Sequence, residues 1–187
     1  MKAINLFLAL SSLCMFTACK EDVTPKPDGF LSLEYPKEGY ELYEHSNCGF
    51  KFNKNKLAQI KPEENCSFKV DYPKMKASIY INYRPVQNNL NLLLKDAQKL
   101  TYNHTIKADD IQESVFEHPE KKVYGMFYRV IGDAATNVQF YATDSTSNFV
   151  VGTLYFYAKP NFDSIYPATK YIEEDMRTIL ETLEWTK

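Results

Sequence analysis

Three features of the sequence predict an α+β protein with an antiparallel sheet of about six to seven strands packed against two main helices. Stretches rich in Tyr, Phe, Val and Ile alternate apolar and polar residues, the links between them are short and turn-rich, and two segments switch to helical periodicity. GFKF (49–52) and CSFKVDYP (66–73) are expected as short neighbouring strands separated by a polar, lysine-rich loop containing Pro62. KASIYINY (76–83) sets Ala77, Ile79, Ile81 and Tyr83 on one face, and Pro85 ends it. In NNLNLLLKDAQKLTYN (88–103), Leu90, Leu93, Leu94, Ala97 and Leu100 share one side of a helix that covers the sheet, with Asn88 or Asn89 as the cap. Strands return in QESVFEH (112–118), KKVYGMFYRVIG (121–132), NVQFYATD (137–144) and NFVVGTLYFYA (148–158). Links such as GDAAT and STS are short enough only for antiparallel neighbours. YIEEDMRTILETLEW (171–185) is the closing helix. Ile172, Met176, Ile179, Leu180 and Leu183 form its core stripe, Glu173, Glu174, Arg177, Glu181 and Glu184 its other flank, and Pro167 stands at its start.

The first 18 residues read as an export signal: Lys2, then an apolar run from Ile4 to Phe16, then the small residues Thr17 and Ala18. The run is shorter than the roughly 20 residues that span a bilayer core. Ala18 before Cys19 resembles a bacterial lipobox, with Phe16 where leucine or valine is usual, so Cys19 is expected to be acylated after cleavage. Several acyl chains would hold the protein at the membrane without inserting polypeptide. Residues 19–35 form a solvated tether rich in charge and proline, and residues 36–187 suit a single domain. Cys19-Lys20-Glu21-Asp22 also resembles a lysine-plus-acids signal that directs some Bacteroidetes lipoproteins to the cell surface; simple solvation of the linker explains the same charges.

Without the signal, 21 basic residues face 24 acidic ones, a balance that carries no clustered basic footprint for nucleic acid. Once Cys14 is removed with the signal and Cys19 is lipidated, Cys48 and Cys66 remain, an even pair suited to an oxidising compartment. A disulfide between them would close a loop of about 18 residues, worth roughly 3 kcal/mol. Neither thiol has the CxxC spacing of a redox dithiol or a neighbouring histidine pattern for metal.

Candidate chemistry is sparse. His45, His104 and His118 lack metal-ligand spacing and read as surface residues. The doublets Glu63–Glu64, Asp109–Asp110 and Glu173–Glu174 point their carboxylates apart on a strand or helix, so they read as solvated faces and not as acid-base pairs. Ser145 in TDSTSN follows an acid but lacks the GxSxG elbow; Asp144, Ser145 and Ser147 suit a hairpin turn better. No phosphate-binding loop, dinucleotide fingerprint or calcium loop is present, and no cofactor is expected. Among the 14 tyrosines, Tyr80, Tyr124, Tyr128, Tyr141, Tyr155 and Tyr157 fall in strands. They would either pack across strands or, as an outward row, mark a partner surface.

The order of an early strand pair, a central helix, a meander and a closing helix resembles the Mog1/PsbP-like sandwich, a likeness of architecture that supplies no function. KMKASIYINYRPV, NLNLLLKDAQKLTYNHTIKADDI, VQFYATDSTSNFVVGTLYFYAKPNFDSIYP and the closing ILETLEW resemble the gliding-motility lipoprotein GldD family of Bacteroidetes, over about residues 39–185. The resemblance implies a lipid-anchored, non-catalytic component of gliding motility and type IX secretion, in the outer membrane with its face unresolved, whose partners are other envelope proteins. It implies no catalytic residues. A surface lipoprotein binding glycans or peptides and a periplasmic hydrolase are the alternatives, the first needing an outward aromatic patch and the second needing His104 to meet an acid and a nucleophile.

Overall fold

The computed structural model describes residues 35–36, 39–45, 48–103, 108–157 and 162–186. The export signal, Cys19, the tether up to residue 34, His104 and Lys107 lie outside them. Ten strands and two main helices are present among the described residues. A three-stranded sheet has the order β1-β2-β10, formed by β1 (Tyr40–His45), β2 (Phe50–Asn55) and β10 (Glu184–Trp185). A seven-stranded sheet is built from β3 (Gln59–Pro62), β4 (Phe68–Tyr72), β5 (Ala77–Pro85), β6 (Ala108–His118), β7 (Val123–Gly132), β8 (Val138–Thr143) and β9 (Asn148–Phe156). Its order is β3-β4-β5-β9-β8-β7-β6, and every pairing in both sheets is antiparallel. Helix α1 (Leu90–Tyr102) and helix α2 (Phe162–Thr182) complete the α+β architecture expected from the periodicities.

The two early strands do not pair with each other, contrary to the sequence expectation. The lysine-rich segment between them is itself β3, which leaves the small sheet through a turn closed by Asn55 and pairs with β4 from Gln59↔Asp71 to Pro62↔Phe68. An edge strand needs backbone pairing more than an apolar face, so β3 carries little hydrophobic signal. β2 and β4 therefore belong to different sheets, and their side chains meet face to face. Phe50 and Phe52 of β2 lie 6.1 and 6.0 Å from the ring of Phe68, all three fully buried. Cys48, just before β2, is bonded to Cys66, just before β4, with Cα atoms 5.5 Å apart. The disulfide thus ties one sheet to the other beside the stacked rings.

The core lies on the face of the large sheet that meets the small sheet and α2: Val70, Ile79, Ile81, Phe127, Val138, Phe140 and Leu154 pack with Ile172, Met176, Ile179 and Leu180. On the other face lies α1, joined to β8 by a hydrogen bond from the Gln139 amide to the Ala97 carbonyl (2.9 Å). Asn89 caps α1 through its backbone carbonyl, which accepts from Leu92 and Leu93, while its side chain accepts from Gln87. The β4–β5 and β6–β7 hairpins share one device. In YPKMK and HPEKK a Pro-led 3-10 turn ends on a lysine, Lys76 or Lys122, in the left-handed region at φ 49° and 52°.

Helix α2 begins earlier and ends sooner than its periodicity suggests. It starts at Phe162, whose amide donates to the Asp133 side chain (2.7 Å), so Pro167 lies inside the helix and not at its start. That proline removes one i→i−4 bond, and packing of the following turns outweighs the loss. At the other end Glu184 and Trp185 leave the helix to pair with Lys51 and Phe50 of β2.

Two glycines mark close approaches in the large sheet. A Cβ on Gly152 would lie 2.2 Å from the Phe140 ring, and one on Gly125 would lie 2.1 Å from the Tyr141 carbonyl oxygen. A buried ring can shift more than a paired backbone can. Gly152→Ala is therefore expected to cost about 2 kcal/mol and Gly125→Ala about 3 kcal/mol or more, read as lowered thermal midpoints by circular dichroism. Equal midpoints for wild type and both variants would refute the packing assignment.

Candidate functional site

The polar groups singled out by sequence divide into those that hold the fold and those that face solvent. The TDSTSN turn belongs to the first kind. One Asp144 carboxylate oxygen accepts from the backbone amides of Thr146, Ser147 and Asn148 at 2.8–2.9 Å, and the other accepts from the Asn148 side chain at 2.7 Å. Burial pushes the Asp144 carboxyl up, but these amides together hold it below the usual carboxylate range. Ser145 sits at φ 67° and gives only its backbone N–H, to Thr143 Oγ1. Asp144 is the turn former; the hydroxyls of Ser145 and Ser147 are not needed for it.

Glu173 corrects the expectation of a solvated doublet. Glu174 is exposed, but Glu173 is fully buried and faces β7. It accepts from Arg129 Nε at 3.0 and 3.1 Å and from Arg129 Nη2, with Lys170 and Arg177 each at 3.3 Å. Burial raises its pKa, but the Arg129 hydrogen bonds and charge, with Lys170, bring it below the ordinary value. Arg177 also lies 4.3 Å over the Phe127 ring.

Asp175, two residues on, carries no sequence signal of its role, because a single acid within a charged helix forms no motif. It is fully buried and accepts from Tyr40 OH (2.9 Å), Tyr72 OH (2.8 Å) and Asn55 Nδ2 (2.9 Å to one oxygen, 3.1 Å to the other), bringing β1, β2 and β4 onto α2. The Tyr72 hydroxyl is held well above its usual pKa by burial first, then by Asp175. A third cluster lies at the β3 end of the large sheet. Ser78 donates to Asp71 (2.6 Å) and also bonds the Tyr157 hydroxyl (2.7 Å), and Asp71 is paired with Lys61. Ser78 is fully buried and its hydroxyl is already engaged, which denies a substrate access to it.

The remaining candidates do not converge. His118 is half-buried at the end of β6, and His45 ends β1. Asp109 and Asp110 are exposed where the β6–β7 register shifts, and Glu63 pairs with Lys69 (2.6 Å) while Glu64 is exposed. Among the described residues no group of three acid, histidine or cysteine side chains is placed to hold a metal ion. The strand tyrosines pack more than they protrude. Tyr128 is buried, Tyr141 stacks on Phe149 at 5.6 Å, Tyr80 and Tyr155 meet edge to face at 5.3 Å, and Tyr157 is 56% exposed. Tyr124 and Tyr141 also help to line an open groove of about 260 Å³ between the start of α1 and β6, with Leu90, Leu94, Val115 and Met126. This groove is the candidate surface: apolar at its floor, acidic along its outer strand.

Asp144 and Glu173, with the similarly lowered Asp71, contribute to the acid limit of the fold. The first two are lowered below their unfolded values of about 3.9 and 4.3, so each contributes stability that is complete above those values and lost as pH falls through the folded ones. The thermal midpoint is expected to stay level down to about pH 5 and to fall steeply below about pH 4. Glu173→Gln should cost about 2 kcal/mol at pH 7, less than a fully buried pair because Arg129 keeps some solvent, and should flatten the acid limb. Parallel acid limbs for variant and wild type would exclude Glu173 as a source.

No curated protein matches the chain. Among solved structures it is similar to the solution structure of the cyanobacterial PsbP protein CyanoP from Synechocystis sp. PCC 6803, with 7% sequence identity, a TM-score of 0.46, and coverage of 86% of this chain and 98% of that one. The sequence profile described as gliding motility lipoprotein GldD matches residues 20–185. With nearly the whole chain inside that match, the protein belongs to the gliding motility lipoprotein GldD family.

Proposed function

We propose that this gliding motility lipoprotein is a non-catalytic component of the gliding and type IX secretion machinery, held at the outer membrane through lipid on Cys19 and working by contact with other envelope proteins. The observation that carries the reading is the employment of its buried polar groups. Buried Ser78, Glu173 and Asp175 each join one part of the fold to another, half-buried Asp144 closes its own turn, and each is bonded to protein atoms. Their chemistry is structural cohesion, which leaves recognition to the exposed surface. The glycan-binding alternative asks for a contiguous outward row of aromatics, and the described tyrosines of this region are divided between buried Tyr128, groove-lining Tyr124 and Tyr141, and the half-buried Tyr80–Tyr155 pair with exposed Tyr157 beside it.

Anchoring is tested first. Cys19→Ala should leave the thermal midpoint unchanged and release the protein from membranes, and a palmitate analogue fed to cells should label the wild type alone. An unlabelled wild type that stays membrane-bound would dismiss the acyl anchor.

Function is tested by complementing a deletion strain. His104→Ala and Ser145→Ala should each restore gliding and secretion. Charge reversal across Lys107, Asp109 and Asp110 should impair them at normal abundance. Loss of function in a folded, normally abundant His104→Ala or Ser145→Ala protein would favour an enzyme instead.

A further inference from the structure

The seven-stranded sheet ends on two dissimilar edges. β3 has only four residues, closes on Pro62 and has its Lys61 paired with Asp71. Shortness, proline and an edge lysine all discourage a further strand. β6 has eleven residues, pairs with β7 on its inner side and, among the described residues, pairs with no strand on its outer side. An open edge of that length presents backbone N–H and C=O groups that can continue the ladder.

Register sorts the side chains of β6. Glu113 stands opposite Tyr128, Val115 opposite Met126 and Glu117 opposite Tyr124, so these three point to the groove face. Val115 is 70% exposed, an unusual state for a strand valine, and it forms part of the groove with Leu90, Leu94, Met126 and Tyr141. Acids flank it on both sides at a spacing of two, Glu113 also accepting a hydrogen bond from the Tyr102 hydroxyl at the end of α1, and Asp109 and Asp110 add negative charge near the strand's start. The strand carries no lysine or arginine. Two copies pairing through this edge would oppose like charges, which disfavours self-association. An extended segment of opposite charge meets a complementary one.

We propose that β6 is an acceptor edge on which one extended segment of another envelope protein adds as an eighth strand, presenting a basic, an apolar and a basic residue at alternate positions to Glu113, Val115 and Glu117. The backbone ladder supplies the attachment, the apolar side chain enters the groove between α1 and β6, and the two cations select register and partner. The proposal rests on the interaction reading above and gives it a partner chemistry.

The test uses the full-length protein in detergent micelles and a fluorescein-labelled peptide TKTVTKT, with KKTTTVT, of the same composition, as control. Anisotropy should show at least tenfold tighter binding of the patterned peptide, and amide exchange should slow across residues 108–118. Glu113→Lys with Glu117→Lys should weaken binding at least tenfold, and the reversed peptide TETVTET should recover it. Val115→Glu, a single exposed change, gives the same expected loss if the double variant fails to fold. Equal binding of patterned and control peptides, protection confined to other strands, or stable self-association through β6 that the peptide does not displace would overturn the proposal. These readouts are independent of motility. Their failure leaves the envelope-component reading standing, whereas a deletion strain that glides and secretes normally removes that reading and leaves strand addition untouched.

Discussion

The stacking of Phe50 and Phe52 on Phe68 is the contact on which both sheets depend. The three-stranded sheet is too small to hold its own shape, since β10 contributes only two residues and isolated two-stranded ribbons are marginal in water. It becomes stable by turning its aromatic face onto β4 and β5, where Tyr83 also stacks on Phe50 at 5.9 Å. Each buried phenylalanine contributes about 1.5–3 kcal/mol relative to an exposed one. The disulfide joins the chain on both sides of this stack, so the aromatic contact and the covalent tie restrain the same two strands.

Helix α2 is positioned by two carboxylates that work in different ways. Glu173 is surrounded by cations and orients the helix along β7, where Arg129 is also joined to Gln112 of β6 (3.1 Å). Asp175 gathers tyrosine hydroxyls and an amide from β1, β2 and β4. A buried charge is tolerated only when hydrogen bonds replace water, and each arrangement does so through parts of the chain far apart in sequence. The helix is consequently buried well beyond its apolar stripe.

The strand and helix content could be read from the sequence wherever a side chain alternates between core and solvent. Ala77, Ile79 and Ile81 on β5, and Ile172, Met176 and Ile179 on α2, were legible for that reason. β1 and β3 were not, because YELYEH and QIKP are edge strands specified mainly by backbone pairing. The assignment of β2 and β4 to separate sheets was equally hidden: alternation states that one face is buried without naming the opposing surface. Glu173 and Asp175 look like ordinary surface acids until Arg129 and Tyr72, distant in sequence, are placed against them. The β6 edge was legible as a strand, but its open outer side and the groove beside Val115 emerge only from the sheet order.

The pairing of β2 with β10 spans a greater sequence distance than any other described strand pair. Phe50 and its partner Trp185 stand 135 residues apart in sequence, so the small sheet is closed only by a long-range contact. Contacts of such sequence separation form slowly, because loop-closure entropy is lost before packing compensates for it. Completion of the small sheet by Glu184 and Trp185 is thus tied to assembly of the whole domain, a closing step that no local segment can take alone.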